Sequence, residues 1–418
     1  MWQHKEKRII KQFDSSFSYL SFFGGGRRLL ILVPHQDDEI NTAGSTIIGA
    51  VAEGLDVHIA YMTNGDWDYA VPLRNNEAIQ AALYMGISKE NIHFLDYPDC
   101  GSDEMSVYEH QDSVFIYRDR QISWNTLLQD IRNLIEMIRP DAIICTGFDS
   151  HRDHRQCESC VLSVMESLWS KGSTTRLYTA FAYGTAYESI EDWWAPHWYS
   201  TKMNPFAHPE YLTTPSENLQ WDKRIRIPVP LSCRHKRLVK NPLYLGLGCH
   251  ISQAAYRRST RLINSDQVYW LRGPERNLQY KNEYLQIMID NHFAYDWYIY
   301  GGELNPVVSV YYGYETGGCE LSSIDDKIIW YCNGDIIENG SYYSIHTYML
   351  NHNLTTVCVR CVLANNPAVF CESYIHKKSY FYWIRFVYDY IINKIKYSLD
   401  HHYRKRAYKE IRKLMRNK

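Results

Sequence analysis

Two short stretches carry the residue types that hold a metal ion and put it to work. The first reads Pro34-His35-Gln36-Asp37-Asp38-Glu39, and the second His151-Arg152-Asp153-His154. His35 and Asp38 stand three apart, a spacing that lets an imidazole and a carboxylate point at one spot from a turn that opens a helix. Asp37 lies between them, free to act as a base beside the ion. The second stretch adds two imidazoles and another carboxylate. Two His and one carboxylate, with a position left for water, make a familiar catalytic zinc shell, although such donors also accept other divalent ions. A metal held this way lowers the pKa of water to roughly 7 and polarises an amide carbonyl. Taken alone, either stretch reads as a helix cap beside a surface histidine. Their joint placement in the fold gives them weight.

That placement follows from the apolar pattern. Residues 29–33, 57–62, 92–95 and 142–145 are short apolar runs of buried-strand type. Helical periodicity fills the intervals: residues 40–53 stop at Gly54, 75–85 at Gly86, and 124–138 at Arg139-Pro140. Gly supplies a left-handed cap and Pro blocks continuation. Residues 156–168 also read as a helix. Strand and helix alternating at this interval predict a parallel sheet with helices on its faces. Both metal-type stretches then leave the carboxyl end of a strand, where open α/β sheets place their sites.

With these residues in view, the sequence resembles the PIG-L (LmbE-like) family of N-deacetylases. The family pattern is an Ala/Pro-His-Pro-Asp-Asp-Glu box after the first strand and a His-x-Asp-His box after a later one. The likeness extends over residues 28–273 and includes Arg74-Asn75-Asn76-Glu77, Tyr97-Pro98-Asp99 and His250-Ile251-Ser252-Gln253. It implies a Rossmann-like fold, a zinc ion and hydrolysis of N-acetylglucosamine-type amides on a sugar or glycolipid; the alternatives are an amidase on another sugar-amide conjugate and a non-catalytic carbohydrate-binding or scaffold protein. Carried over, His35, Asp38 and His154 would be the metal ligands and Asp37 the general base. His151 would be the acid or oxyanion stabiliser, oriented by Asp153. Arg74, Asp99 and His250 would serve the substrate. Each of these three also has an ordinary structural reading: an ion pair with Glu77, a turn residue and a core histidine. Gln36 stands where the family usually has Pro, which leaves that turn less constrained.

Beyond this region, residues 183–280 look irregular, with Trp193-Trp194, Trp198, Trp221 and Trp270 among several Pro. They read as loops and short helices completing a domain over residues 1–283, with residues 284–303 as a connector. Residues 304–380 contain runs rich in β-branched and aromatic residues (307–311, 328–331, 343–348, 356–363, 369–375) with Asn-Gly turns. They predict a small all-β sandwich of immunoglobulin type around Trp330. Residues 381–418 read as a basic helical tail, with 11 Lys and Arg against 3 Asp and Glu, a net charge of +8. Its aromatic first half suits peripheral contact with an anionic membrane face or ordinary packing on the sandwich.

The whole chain carries a net charge of −2, a balance that gives no reason to expect nucleic-acid binding. Eleven Cys, an odd number along 418 residues, do not read as a disulfide framework. Cys157-x-x-Cys160 and Cys358-x-x-Cys361 read as buried thiols rather than a shared zinc site. No signal-type apolar segment opens the chain, so a cytoplasmic setting is expected.

Overall fold

The computed structural model describes residues 18–100, 107–183, 225–227, 230, 233, 237–259, 267–273, 284–289, 308–313, 319–320, 328–339, 342–354, 356–363, 366–376 and 380–416. Five parallel strands form the frame: β1 (Arg28–Val33), β2 (Asp56–Thr63), β3 (Ile92–Tyr97), β6 (Ala142–Thr146) and β7 (Arg176–Ala180). A hairpin, β4 (Val114–Tyr117) with β5 (Arg120–Ser123), stands outside the main sheet. Two antiparallel strands, β8 (Ile225–Ile227) and β9 (Gln267–Arg272), extend it beyond β7. The order across the sheet is β3-β2-β1-β6-β7-β9-β8. Strands β8 and β9 fall where the irregular pattern had suggested only loops and short helices. Trp193, Trp194, Trp198 and Trp221 lie outside the described residues.

The run Leu29–Leu30–Ile31–Leu32–Val33 is fully buried because both faces of β1 are covered. Leu29, Ile31 and Val33 pack against Ile40, Ala43 and Ile47 of α2 (Asp38–Glu53) and against Ala78 and Ala81 of α3 (Val71–Tyr84). Leu30 and Leu32 face the other way, onto Leu127 and Ile131 of α4 (Trp124–Ile138) and Val161 and Val164 of α5 (Arg152–Trp169). Each such side chain contributes about 1.5–3 kcal/mol when fully buried. A short helix, α1 (Tyr19–Phe22), sits on α2, where Glu53 accepts from Ser18 Oγ and the Tyr19 amide. Local signals set the helix ends. Gly54 closes α2 at φ +89°, and Ser123 with Thr126 forms a capping box on α4.

Chain order and sheet order together locate the crevice. Connections from β1 run one way, to β2 and β3, while β6 and β7 lie on its other side. Between β1 and β6 the helices that follow the strands diverge to opposite faces, and a crevice opens at the carboxyl ends. Both metal-type stretches emerge there.

The later region differs in part from its sequence reading. Strand β10 (Tyr284–Ile289) lies in the expected connector and pairs antiparallel with β11 (Val308–Gly313), which pairs with β12 (Cys319–Glu320). A second antiparallel sheet has the order β14-β13-β15-β16, from β13 (Ile328–Cys332), β14 (Asp335–Ile337), β15 (Thr356–Leu363) and β16 (Asn366–His376). The expected strand at residues 343–348 is instead part of a helix, α7, running Tyr342–Asn351. Ile345 and Met349, four apart on one face, are its buried residues.

The tail is one 37-residue helix, α8 (Tyr380–Arg416). Its second half rests on the α/β domain. Asp400 accepts from Tyr244 Oη at 2.5 Å and Arg404 Nε at 2.7 Å, and His401 meets the Tyr256 ring edge-on at 4.9 Å. Tyr244 belongs to α6 (Pro242–Leu247), which packs on α2 through Leu243. No described helix is long and apolar enough to cross a membrane.

Candidate metal centre

The turn after β1 is held in a conformation that few residues adopt. Asp37 has φ +129°, a region where a non-glycine residue is strained. Several bonds hold it there. Its amide donates to Glu39 Oε2 at 2.8 Å, the Gln36 carbonyl accepts from Arg74 Nη2 at 2.8 Å, and the Pro34 carbonyl accepts from Thr63. Gln36, completely buried, donates from Nε2 to the Thr63 carbonyl at 3.3 Å and to Asn75 Oδ1 at 3.0 Å. Side-chain bonds thus tether the turn where a proline ring would have stiffened it.

Two imidazoles converge on one carboxylate oxygen. Asp38 Oδ2 lies 3.1 Å from His35 Nδ1 and 3.2 Å from His154 Nε2, with all three residues buried. Ligand atoms sharing one zinc ion at about 2.0–2.2 Å are themselves about 3–3.5 Å apart. His154 Nε2 is a buried nitrogen without a hydrogen bond of acceptable geometry. The donor types, their spacing and this orphaned nitrogen fit a divalent cation. His151 completes a triangle of rings, its centroid 5.1 Å from that of His35 and 5.0 Å from that of His154.

Further carboxylates surround these imidazoles. Asp149 accepts from His154 Nδ1 at 3.0 Å and from the Ala182 amide at 2.7 Å. Asp153 lies 3.2 Å from His35 Nε2 but 3.8 Å from His151 Nδ1, so its nearer imidazole is His35 rather than the expected His151. Asp99 Oδ1 is 3.7 Å from His35 Nε2. His35 and His154 each have a carboxylate oxygen beside both ring nitrogens, which restricts tautomer and ring orientation.

The charges are strongly interdependent. Burial by itself would lower the His154 pKa, but Asp38 and Asp149 overcome it and raise the group to about 9. The same opposition raises His35, where burial is outweighed by Asp99, Asp153 and Asp38. Burial would lift the Asp38 carboxyl, yet His154 and His35 hold it well below the usual range. His151 goes the other way: burial and the neighbouring imidazoles of His35 and His154 lower it to about 3, leaving it neutral at pH 7.

His35, Asp37, Asp38, His151, Asp153, His154 and Asp99 are thus brought to one rim. Arg74 is buried and braces the Gln36 carbonyl. His250 departs from its expected place near substrate: it is completely buried and bonds Glu39 Oε1 at 2.9 Å, in the layer beneath Asp37. Two participants escaped sequence reasoning. Arg258 forms an ion pair with Asp37, across 221 positions of chain that no local pattern bridges. Asp149 stands two residues before His151, a spacing that could have marked it.

Residues 30–165 match the family model described as PIG-L, GlcNAc-PI de-N-acetylase. The chain carries a PIG-L domain. That domain contains every residue of the metal centre, whereas Arg258 and His250 reach it from beyond the matched segment. A curated relative, the putative glucosamine-6-phosphate deaminase-like protein of Bacteroides thetaiotaomicron, is 19% identical over 340 residues, covering 65% of this chain and 42% of that protein. The chain thus spans less than half the length of that relative. Among solved structures, the N,N'-diacetylchitobiose deacetylase of Pyrococcus horikoshii is similar at 17% identity over 44% of this chain and 71% of its own, with a TM-score of 0.31. A deacetylase triple mutant of the teicoplanin biosynthetic pathway is similar at 14% identity over 58% and 97%, with a TM-score of 0.35.

Proposed function

We propose that the chain is a metal-dependent hydrolase that removes the acetyl group from an N-acetylated sugar, free or carried on a lipid. The observation that supports this reading is the Asp38 carboxylate oxygen set 3.1 Å from a His35 nitrogen and 3.2 Å from a His154 nitrogen, with His151 completing a cluster of three imidazoles, within a PIG-L domain. In this reading His35, Asp38 and His154 hold zinc or another divalent ion, which supplies Lewis acidity to the amide carbonyl and acidifies water. Asp37, its carboxylate oriented by Arg258, takes the proton from the attacking water. Neutral His151 keeps a ring N–H to donate to the developing oxyanion or the departing amine. Asp99 and Arg74 are the residues proposed to orient the sugar. We further read residues 304–380 as an immunoglobulin-like sandwich following a catalytic unit over residues 1–283, a reading supported by the antiparallel sheet β14-β13-β15-β16.

The test is acetate release from a panel of N-acetylated sugars with defined metal. Asp37→Asn should retain the metal and lose about 10²–10⁴-fold in turnover. Unchanged turnover would remove Asp37 from the role, and absence of both bound metal and acetate release in the parent protein would overturn the reading as a whole.

A further inference from the structure

Helix α8 has two faces, and the α/β domain uses only one. Tyr397, Asp400, His401, Arg404 and Tyr408 recur at the period of a helix and meet Tyr244, Tyr256 and Arg257. On the opposite side Ile384, Tyr388, Ile391, Ile395 and Leu399 follow one another at intervals of three or four residues, and all five are exposed, Leu399 to 68%. The same stripe continues with cations: Arg406, Lys409 and Lys413 are exposed, and none has an ion-pair partner among the described residues. An apolar stripe that runs into a basic one is presented on the side facing away from the domain.

We propose that this exposed face of α8 binds the surface of an anionic lipid bilayer. Lying in the interface, the apolar residues would enter the boundary between headgroups and acyl chains, and the cations would sit at the lipid phosphates. Charge complementarity selects this occupant. The tail holds a net +8 within a chain of net −2, so the cations are segregated from an otherwise acidic protein. An aliphatic stripe alone would suit a second copy of the helix, but aligned like charges along its continuation oppose that pairing. The geometry also has a consequence for the catalytic rim. Arg412 reaches Tyr69 Oη at 3.4 Å and Asp68 at 3.7 Å, in the loop that leaves the carboxyl end of β2. The rim loop is therefore about one helix diameter, ~10–12 Å, from the face that would touch lipid. The inference stands on α8 alone and does not depend on the deacetylase reading.

Flotation of the full chain with vesicles tests it. Binding is expected to vesicles of phosphatidylcholine with roughly one-third phosphatidylserine and not to phosphatidylcholine alone. It should weaken in about 1 M salt, where the screening length falls to ~3 Å. Arg406→Glu, Lys409→Glu and Lys413→Glu together should lower the partition coefficient by at least a hundredfold, at about 1 kcal/mol for each basic residue removed. Ile391→Ser, Ile395→Ser and Leu399→Ser together should also abolish flotation. Unchanged thermal unfolding of both triple variants shows that the fold survives, since none of these side chains is buried. No flotation of the parent chain, or equal binding to neutral and anionic vesicles, overturns the proposal. So does self-association in sedimentation that the Ser variants abolish without any vesicle binding, which would give the stripe to a second copy.

Discussion

At the residue scale, the candidate metal centre is a set of charges that balance one another through shared protons. Asp38, Asp99, Asp149 and Asp153 surround the two imidazoles of His35 and His154, whose protonated forms are favoured for that reason. The His154 pKa rises from the ordinary 6.5 to about 9 in the fold, so its stabilising contribution is complete below 6.5 and lost as pH climbs through about 9. A metal held by these rings as proposed needs them neutral, so its binding near neutral pH would release those protons. Apparent zinc affinity is therefore expected to increase with pH between 6.5 and 9, together with proton release that depends on the buffer's ionisation enthalpy in calorimetry. An affinity flat across that window would mean that His154 gives up no proton when the metal binds. Asp149→Asn probes the layer behind. It keeps shape but removes the anion that orients His154, and should weaken zinc binding about 10–100-fold against a chromophoric chelator. Equal affinity would reduce Asp149 to a brace for the Ala182 amide.

At the element scale, helix packing rests on close approaches that need small residues. In α2 a Cβ on Gly49 would lie 2.2 Å from the Tyr19 ring, which has a rigid seat between α1 and α2. Gly49→Ala gains up to about 1 kcal/mol of helix propensity but overpacks that seat at a cost of about 1–3 kcal/mol. A net loss in denaturant unfolding is expected, and a gain would mean that Tyr19 moves aside freely. What was legible in the sequence follows the same physics. Strands β1, β2 and β6 announce themselves because burial on both faces demands apolar runs. Their alternation with the helices places the two metal-type stretches at one rim from the sequence pattern alone. The hairpin β4–β5 gave no such signal: its strands are four residues long and half-exposed, and Arg118-Asp119 takes the positive-φ turn positions usually held by Asn-Gly. Residues 343–348 misled because Tyr, Ile and Thr favour strands locally, while the burial of Ile345 and Met349 on one face selects a helix. Arg258 was invisible for a different reason, since only the folded chain sets it beside Asp37.

At the scale of the whole molecule, three segments distant in sequence lean on one another around the metal centre. The loop after β2 carries Asp68 and Tyr69, the stretch from Leu238 to Arg258 carries His250 and Arg258, and α8 grips both. Asp400 is the hinge of that grip, because it accepts from Tyr244 on one side and Arg404 on the other. Arg404 in turn lies against Gly248, where any Cβ would meet its guanidinium at 1.7 Å, two residues before His250. Asp400→Ala removes both acceptors and leaves a half-buried Tyr244 hydroxyl without its partner, at a cost of about 1–3 kcal/mol. The loss falls on docking of the tail rather than on the central sheet. Faster hydrogen exchange is therefore expected in residues 396–416 and 241–258, with exchange in β1 and β6 unchanged. The proposed metal ligands lie on the sheet rim and should keep their affinity, whereas Arg258 would lose its fixed position on Asp37 and turnover should fall severalfold. Slower turnover with no change of exchange in 241–258 would mean that Asp400 acts through some other route, and the idea of α8 as a strap would fail.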